Sequence, residues 1–351
     1  MPVNTPDDMV IETKRSARRR AATSLDVARE AGVSQAAVSR AFSKTASIAP
    51  ETRKRILAAA ELLNYRPNLL ARSLITNRTH TIGVAVGYME NQFYPKLLQC
   101  LSEALSRIGY RILLFTTPAD ADTDPLVEDV LKFKVDGLIL ASTLLSSKAA
   151  ENCQRAGVPV LMVNRRSQAV SVSSVTSDNF SGSAAIANLL LAAGHKSFAY
   201  ISGRPETSTS LEREKSFRET LKRRGMDAEV VCGNYLLQDA RSVTRELLSR
   251  PNRPEALFYA NDHMALAGLE VAKYEYGLSP GTDISIAGFD DIAAASWPSF
   301  NLTTYSQPIE QMTERIVDCM MRSIEHPDTD PEHIIVRGDL IHRSSTRRSR
   351  I

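Results

Sequence analysis

The segment DVAREAGVSQAAVSRAF, residues 26–42, contains two short helical patterns separated by one glycine. Thr23 is a typical N-cap residue, and Asp26 places a carboxylate in the first turn of the first pattern. Gly32 supplies the permissive backbone that ends a helix, and Ser34 follows where it can cap the next one. The segment therefore predicts two helices of about two turns each, joined as a helix-turn-helix.

Each predicted helix has an apolar side. The first carries a stripe formed by Leu25, Ala28 and Ala31. At about 100° per residue, the apolar side of the second helix consists of Ala37, Val38, Ala41 and Phe42. Its opposite side presents small or polar residues, namely Gln35, Ala36, Ser39 and Arg40. Such a helix fits the major groove of DNA, although an ordinary helical hairpin would also place polar residues toward solvent.

The charge of the chain is unevenly distributed. Residues 1–78 carry 14 Lys and Arg against 7 Asp and Glu, or +7, and the remainder carries 29 against 33, or −4. A basic head on an acidic body predicts a polyanion-binding module attached to a different domain. A solvated basic tail without a partner is the alternative.

A third helix is predicted from PETRKRILAAAELLNY, residues 50–65, because Pro50 fits a first-turn position. Its apolar residues are Ile56, Leu57, Ala60 and Leu63. This helix closes a small three-helix core, which favours a DNA-binding domain over a simple hairpin.

Length and composition exclude several classes. A chain of 351 residues is expected to form two or three domains. Its four cysteines are far apart and include no CxxC pair, so we expect neither a zinc site nor a disulfide framework. We also expect no cofactor and no other metal. No apolar run is long enough to span a bilayer, and the first 22 residues lack the apolar core of a secretory signal. These features predict a protein of the reducing cytoplasm.

The rest of the chain alternates apolar runs with amphipathic segments. The strand-like runs are TIGVAVG, RILLFT, DGLILAS, VPVLMVN, SFAYISG, ALFYAND and ISIAGFDD. This alternation predicts a doubly wound α/β fold, in which ligands bind at the carboxyl ends of the strands. No glycine-rich phosphate loop follows the first strand, so nucleotide binding lacks support.

Three segments, SLDVAREAGVSQAAVSRAF, TRKRILAAAELLNYRPNLLARSL and TIGVAV, together resemble the start of a lactose-repressor (LacI/GalR) family regulator. Further motifs follow in the family's order, including KVDGLIL, GVPVLMVNRR, YANDHMALAGLE and LTTYSQPIEQM. The resemblance implies a multi-domain protein with an all-α helix-turn-helix headpiece and an α/β periplasmic-binding-protein-like core of two doubly wound subdomains. It also implies that the chain crosses between the subdomains near residues 201–205 and 302–308.

The expected domain boundaries follow from these features. We expect a disordered basic tail at residues 1–22, a helix-turn-helix headpiece at residues 23–66 and a hinge helix or linker at residues 67–78. An effector-binding and dimerisation core should follow at residues 79–342, and a basic C-terminal tail at residues 343–351. We expect the C-terminal tail to be disordered as well, and it has no apolar heptads, which argues against tetramerisation through a coiled coil.

The resemblance also implies which residues contact DNA. Gln35 and Ala36 match the base-reading pair of the recognition helix, and Arg40 matches an arginine that contacts guanine. Ala36 is too small for a hydrogen bond and can touch a thymine methyl group. Leu74 matches a leucine that is inserted between base pairs. The remaining DNA-binding positions are Thr23, Ser34, Ser39 and Tyr65 in the headpiece and Asn68 and Ala71 in the hinge.

For an effector in the core, the family pattern indicates Phe93, Tyr94, Asp178, Arg213, Tyr235, Asn261, Asp262 and Asp290. Such residues suit a sugar, which offers hydroxyl pairs to polar side chains and an apolar ring face to aromatic rings. Arg213 and Asp290 could pair with each other. Asp178 and Asp290 each have a structural alternative as a helix N-cap, and Phe93 could be an ordinary core residue.

The resulting interpretation is a homodimeric transcription regulator, most simply a repressor, that binds a pseudo-palindromic operator in double-stranded DNA. A sugar-like effector in the core would change operator affinity by about 1–3 kcal/mol. The alternatives are an activator or dual regulator that responds to a non-sugar effector and, more remotely, a solute-binding protein. An enzyme is disfavoured because GRPETSTS has hydroxyl groups without a partner His and Asp arrangement, and His195 and His263 show no metal spacing.

Overall fold

The computed structural model describes residues 22–42, 47–66, 78–116, 124–142, 145–167 and 172–348. The chain divides into two compact units, Met1–Asn77 and Arg78–Ile351. The described part of the first unit contains three helices, α1 (Ser24–Glu30), α2 (Gln35–Ala41) and α3 (Pro50–Leu62).

Local side-chain chemistry fixes the ends of α1 and α2. The Thr23 hydroxyl accepts from the Asp26 N–H at 3.3 Å, and the Asp26 carboxylate accepts from the Thr23 N–H at 2.9 Å, which forms a capping box. Gly32 has a φ of +60°, the left-handed conformation that favours glycine after a helix. Ser34 caps α2 by accepting from the Ala37 N–H at 3.2 Å. The predicted helix-turn-helix is therefore present.

The three helices share one apolar core, in which Val27, Val38 and Ile56 are at most 1% exposed. Two residues of the predicted apolar stripes do not belong to this core. Leu25 is 54% exposed and Leu57 is 45% exposed. These two predictions were wrong because other apolar residues of the same helices, Val27 among them, occupy the inward side.

The second unit contains two six-stranded sheets. The first sheet is entirely parallel, in the order β11-β5-β4-β3-β1-β2. Its strands are β1 (Thr81–Val86), β2 (Arg111–Thr116), β3 (Gly137–Ala141), β4 (Val160–Val163), β5 (Ser173–Ser177) and β11 (His333–Val336). The order reverses between β1 and β3, which is the topological switch point of a doubly wound fold.

The second sheet repeats this arrangement in the order β12-β10-β9-β8-β6-β7. Only β12, which pairs with β10, is antiparallel to its neighbour. The strands are β6 (Phe198–Ser202), β7 (Ala228–Cys232), β8 (Ala256–Tyr259), β9 (Ser285–Asp290), β10 (Thr303–Ser306) and β12 (Leu340–Ile341). The prediction of two doubly wound subdomains is confirmed.

Helices cover both sheets. The first sheet packs with α4 (Phe93–Arg107), α5 (Asp124–Lys132), α6 (Ser147–Arg155) and α11 (Ile309–Glu325). The second packs with α7 (Asn179–Ala192), α8 (Ser208–Lys222), α9 (Leu237–Ser249) and α10 (Asp262–Glu270). A short π-helical turn, Val271–Glu275, follows α10, and a 3₁₀ turn, Ala293–Ser296, follows β9.

The chain crosses between the subdomains three times. The first crossing lies at Asp178, between β5 of the first sheet and α7 of the second subdomain. The prediction of a crossing at residues 201–205 was wrong, because β6 and α8 on either side both belong to the second subdomain. The predicted crossing at residues 302–308 is confirmed between β10 and α11, and a third joins β11 to β12.

The C-terminal segment packs against the second sheet as far as residue 348. Ser345 is 1% exposed, accepts from the Thr303 N–H at 2.8 Å and donates to the Ile286 carbonyl at 2.6 Å. Arg343 donates to the Asp291 carboxylate at 2.7 Å. The prediction of a disordered tail was therefore wrong for residues 343–348, because hydroxyl groups in the segment satisfy sheet backbone groups.

Candidate DNA-contacting helix and effector cleft

The side of α2 that faces away from the three-helix core is exposed. It consists of Ser34, Gln35, Ala36, Ser39 and Arg40. The Gln35 amide donates to the Ser24 hydroxyl at 2.9 Å, which orients this side chain from α1. Arg40 forms no ion pair with any residue in the described ranges, so its guanidinium is available to a ligand.

Two other residues predicted to contact DNA, Thr23 and Tyr65, also have structural roles in the headpiece. Thr23 caps α1, and Tyr65 is half-buried with its ring 5.9 Å from that of Phe42. Both remain at the surface. The hinge positions Asn68, Ala71 and Leu74 lie outside the described residues.

A cleft lies where the carboxyl ends of strands from both sheets meet, and we call it the effector cleft. The cavity that it encloses measures about 20 Å³, which is room for about one water molecule, so a larger ligand would have to widen the cleft. Six of the eight predicted effector residues line it, namely Phe93, Tyr94, Arg213, Tyr235, Asn261 and Asp290. Seven further residues were not predicted, namely Tyr88, Asn91, Ser142, Asn164, Arg165, Thr209 and Gln307. Part of this set had a visible signal, since Asn164 and Arg165 directly follow an apolar strand.

Asp290, at the end of β9, joins the two sides of the cleft. It accepts from the Gln307 amide at 2.5 Å and from the Asn91 amide at 3.3 Å, and it lies 3.9 Å from the Arg213 guanidinium. Burial raises the pKa of Asp290 to about 6, while the charge of Arg213 acts in the opposite direction. The proposed pairing of Asp290 with Arg213 is thus present.

Arg213 projects from α8 and is 3% exposed. Its Nε donates to the Asn179 amide oxygen at 2.8 Å, and another nitrogen donates to the Ala260 carbonyl. Its guanidinium carbon lies 3.6 Å from the centroid of the Phe289 ring, a cation–π arrangement. These contacts hold the arginine in one orientation in the cleft.

Two predicted effector residues do not line the cleft. Asp178 caps α7 by accepting from the Ser181 N–H at 2.9 Å, which is the structural alternative for this residue. Asp262 is fully buried, where it accepts from the Thr304 hydroxyl at 2.6 Å and the Ile292 N–H at 3.0 Å. Burial, together with the charge of Asp290, raises the pKa of Asp262 to about 8.

Some residues of the cleft have a left-handed backbone conformation. Four lining residues have a positive φ, namely Ser142 (60°), Asn164 (56°), Tyr235 (63°) and Asp290 (145°). Conformations of this kind are costly for residues other than glycine and tend to persist at functional sites. They turn the ends of several strands so that polar side chains converge.

Several buried polar atoms in the cleft have no hydrogen-bond partner within the described structure. They are Asn164 Oδ1, Arg165 Nε, Tyr235 Oη and Gln307 Oε1. Unsatisfied buried groups are rare in folded proteins and require an explanation. The aromatic rings of Phe93 and Tyr94, 5.2 Å apart and at 88°, provide an apolar wall beside them. This combination suits a ligand with both hydroxyl groups and an apolar face.

Other site classes receive no support in the described ranges. No three His, Cys, Asp or Glu side chains there are grouped to hold a metal ion. None of the helices in those ranges is both long and apolar enough to cross a bilayer. His195 is buried and hydrogen-bonds Ser285 at 2.7 Å, and the His263 ring packs edge-on against Tyr88 at 5.5 Å.

Comparison with known proteins identifies both parts of the chain. Residues 23–68 match the model of bacterial regulatory proteins of the lacI family, and residues 187–346 match the periplasmic binding protein-like domain. The ribose operon repressor of Escherichia coli (strain K12) is 32% identical over 329 residues, which cover 92% of this chain and 99% of that protein. Catabolite control protein A of Priestia megaterium is 31% identical, over 93% of this chain and 99% of its own length.

Solved structures agree with these matches. The Lac repressor dimer bound to operator and the anti-inducer ONPF aligns with a TM-score of 0.83 at 25% identity, over 93% of this chain and 100% of that one. A complex of the transcriptional regulator CelR with cellobiose aligns with a TM-score of 0.69 at 28% identity, over 92% and 99%. The chain therefore belongs to the LacI family of bacterial regulatory proteins, as a DNA-binding transcription regulator and not an enzyme.

Proposed function

We propose that this protein is a transcriptional repressor whose affinity for operator DNA is controlled by a sugar or sugar derivative in the effector cleft. The observation that carries the proposal is the presence, in one chain, of an exposed helix-turn-helix surface and a cleft with unpaired buried polar atoms. The first can read DNA, and the second can bind a small molecule.

In the DNA-bound state, Gln35, Ala36 and Arg40 would meet base edges in the major groove. Each bidentate pair contributes about 1–3 kcal/mol of discrimination. The hydroxyl groups of Thr23, Ser34, Ser39 and Tyr65 would contact the phosphate backbone. Asn68, Ala71 and Leu74 would enter the minor groove, with Leu74 inserted between base pairs.

The functional assembly we propose is a homodimer acting in the cytoplasm. Two identical chains related by a two-fold axis would place two recognition helices in the half-sites of a pseudo-palindrome. The related Lac repressor, solved as a dimer bound to operator, supports this arrangement.

The polar and aromatic residues of the cleft would share the work of binding the effector. Asn261, Arg213 and Asp290 would bind hydroxyl groups, and Phe93, Tyr94 and Tyr235 would pack against the sugar ring. The names of two relatives support a sugar as the effector. One is a ribose operon repressor, and the other was solved as a complex with cellobiose.

Contacts across the cleft provide a route for coupling. Asn91 from the first subdomain meets Asp290 from the second, and the Tyr88 hydroxyl of the first donates to the Tyr235 carbonyl of the second. An effector that replaces these contacts would change the relative position of the subdomains. A coupling of about 1–3 kcal/mol would change operator affinity by about 5- to 150-fold.

The test begins with the DNA sequence. Selection of bound fragments from a random double-stranded pool by the purified protein should yield a near-palindrome. Fluorescence anisotropy with that DNA, with and without candidate sugars, then measures the coupling. Equal affinity for selected and scrambled DNA would contradict the proposal, as would an effector that binds without changing operator affinity.

A further inference from the structure

The effector cleft holds one positive charge more than its carboxylates can balance. Its charged lining residues are Arg165, Arg213 and Asp290. Asp290 faces Arg213 at 3.9 Å and also feels the charge of Arg165, but one carboxylate can balance only one of the two arginines. Arg165 is only 5% exposed and lies within 4.0 Å of no carboxylate in the described part of the chain. A buried cation without a counter-charge is costly, which makes Arg165 the unexplained group in the cleft.

The hydrogen bonds of Arg165 are made only to neutral acceptors. One nitrogen donates to the Asn164 carbonyl at 2.7 Å and to the Thr209 hydroxyl, and another reaches the Ser142 hydroxyl at 3.4 Å. Its Nε has no partner. Its guanidinium carbon lies 5.3 Å from the centroid of the Tyr235 ring, which restricts its orientation. The guanidinium of Arg165 is thus held in place, while its Nε–H has no acceptor.

The start of α8 lies beside this guanidinium and adds positive potential. The helix runs for 15 residues from Ser208, and its first turn contains no acidic residue. The N-cap residue, Thr207, makes no capping bond with its side chain. Thr209, in the first turn, is the residue that bonds Arg165 and lines the cleft. The positive end of a helix dipole therefore reinforces the charge of Arg165.

We propose that the effector is an acidic sugar whose carboxylate is bound by Arg165, with Ser142 and Thr209 donating hydroxyl hydrogen bonds. This inference rests on the proposed function and narrows its effector class. One surplus positive charge matches one carboxylate, whereas a phosphate carries about −1.5 to −2 at pH 7 and would leave excess negative charge. The hydroxyl groups of the same ligand would bind at Asp290 and Asn261, on the other side of the cleft.

The test compares matched ligands on the purified full chain. The probes are glucose with gluconate, glucuronate and glucose 6-phosphate, galactose with galacturonate, and xylose with xylonate, each titrated to about 10 mM by isothermal calorimetry. At least one acid should bind at least about tenfold more tightly than its neutral and phosphorylated counterparts. The inference is overturned if no acid binds, or if a neutral sugar or the phosphate binds as tightly as the acids.

Variants of the arginine provide the second readout. Arg165→Gln should weaken binding of that acid by about tenfold to hundredfold, the range expected for lost charged hydrogen bonds. Arg165→Lys, which retains the charge, should lose less. Arg166→Gln removes the adjacent cation, which does not line the cleft, and should change affinity by no more than about threefold. An acid affinity that is the same in wild type and a folded Arg165→Gln protein would contradict the assignment.

Operator binding separates this inference from the proposed function. If an acid binds through Arg165 but leaves operator affinity unchanged, the inference stands and effector control fails. If only a neutral sugar changes operator affinity, effector control stands and the inference fails.

Discussion

Replacing Asp262 with asparagine should make the protein more stable near neutral pH. Asp262 is fully buried, with its carboxyl group between the Thr304 hydroxyl and the Ile292 N–H. Burial and the charge of Asp290 raise its pKa from 3.8 to about 8. Asparagine has nearly the same shape and can keep both hydrogen bonds, since its amide can donate to Thr304 and accept from Ile292.

The size of the effect follows from proton linkage. A carboxyl group whose pKa is higher in the folded chain contributes stability below its unfolded pKa, and this contribution is lost as pH rises toward the folded pKa. Between pH 5 and pH 7 the unfolded chain has released the Asp262 proton, while the folded chain retains it. The free energy of unfolding therefore falls as pH rises through this interval, by about 1.4 kcal/mol for each pH unit.

Urea unfolding at pH 5, 6 and 7 measures this effect directly. The stability of Asp262→Asn relative to wild type should rise by about 2–3 kcal/mol between pH 5 and pH 7. Asp227→Asn is the control, because a hydrogen bond from Arg218 at 2.9 Å lowers the pKa of Asp227 to about 2. The Asp227 carboxylate is ionised in both the folded and the unfolded chain from pH 5 to pH 7. The stability difference between Asp227→Asn and wild type should therefore not change with pH. Parallel curves for Asp262→Asn and wild type would refute the reasoning.

Three further predictions concern DNA binding, pH and packing. Arg40→Ala should weaken binding to the selected operator by about 1–3 kcal/mol while changing binding to scrambled DNA much less, as measured by anisotropy; an equal loss on both would argue against base contact. Burial lowers the pKa of His195 below 6.5, so its contribution to stability is present above that pH and is lost on acidification. The melting temperature of His195→Gln should accordingly fall less than that of wild type when the pH is lowered from 7 to 5, and an equal fall would contradict this effect of His195 protonation. Gly182→Ala should cost about 1–3 kcal/mol in urea unfolding, because a Cβ there would lie 2.5 Å from the Tyr305 ring; stability within about 0.5 kcal/mol of wild type would contradict the packing.

Seven of the twelve strands that the structure describes were predictable from apolar runs in the sequence. Six of these strands are central in their sheets and are buried on both faces, whereas RILLFT forms the edge strand β2, which is partly exposed. The strand β5 has the sequence SSVTS and lacks that signal. It is nevertheless buried, because Ser174 bonds the His333 ring at 2.9 Å and Ser173 accepts from the Glu332 N–H at 3.1 Å. These partners lie about 160 residues away and are invisible to local patterns.

Only part of the cleft lining was predictable, because the direction of a side chain also depends on partners that are distant in the sequence. Asn261 and Asp262 are adjacent at the end of β8, but only Asn261 faces the ligand space. The side chain of Asp262 turns to satisfy Thr304 and Ile292. Arg165 was overlooked because an arginine after a strand is ordinarily a solvated residue, and its burial depends on α8 from the other subdomain.

The crossings between subdomains also determine when each sheet can be completed as the chain is synthesised. The first sheet receives β11 and the second receives β12 only after every other strand has been made. Until residues 333–341 emerge from the ribosome, β5 and β10 each have an edge without its final partner. Unpaired edges invite pairing with other chains. Both halves of the core therefore stay incomplete until the last strands are translated, and an mRNA truncated before codon 333 would yield a product in which both sheets have an open edge.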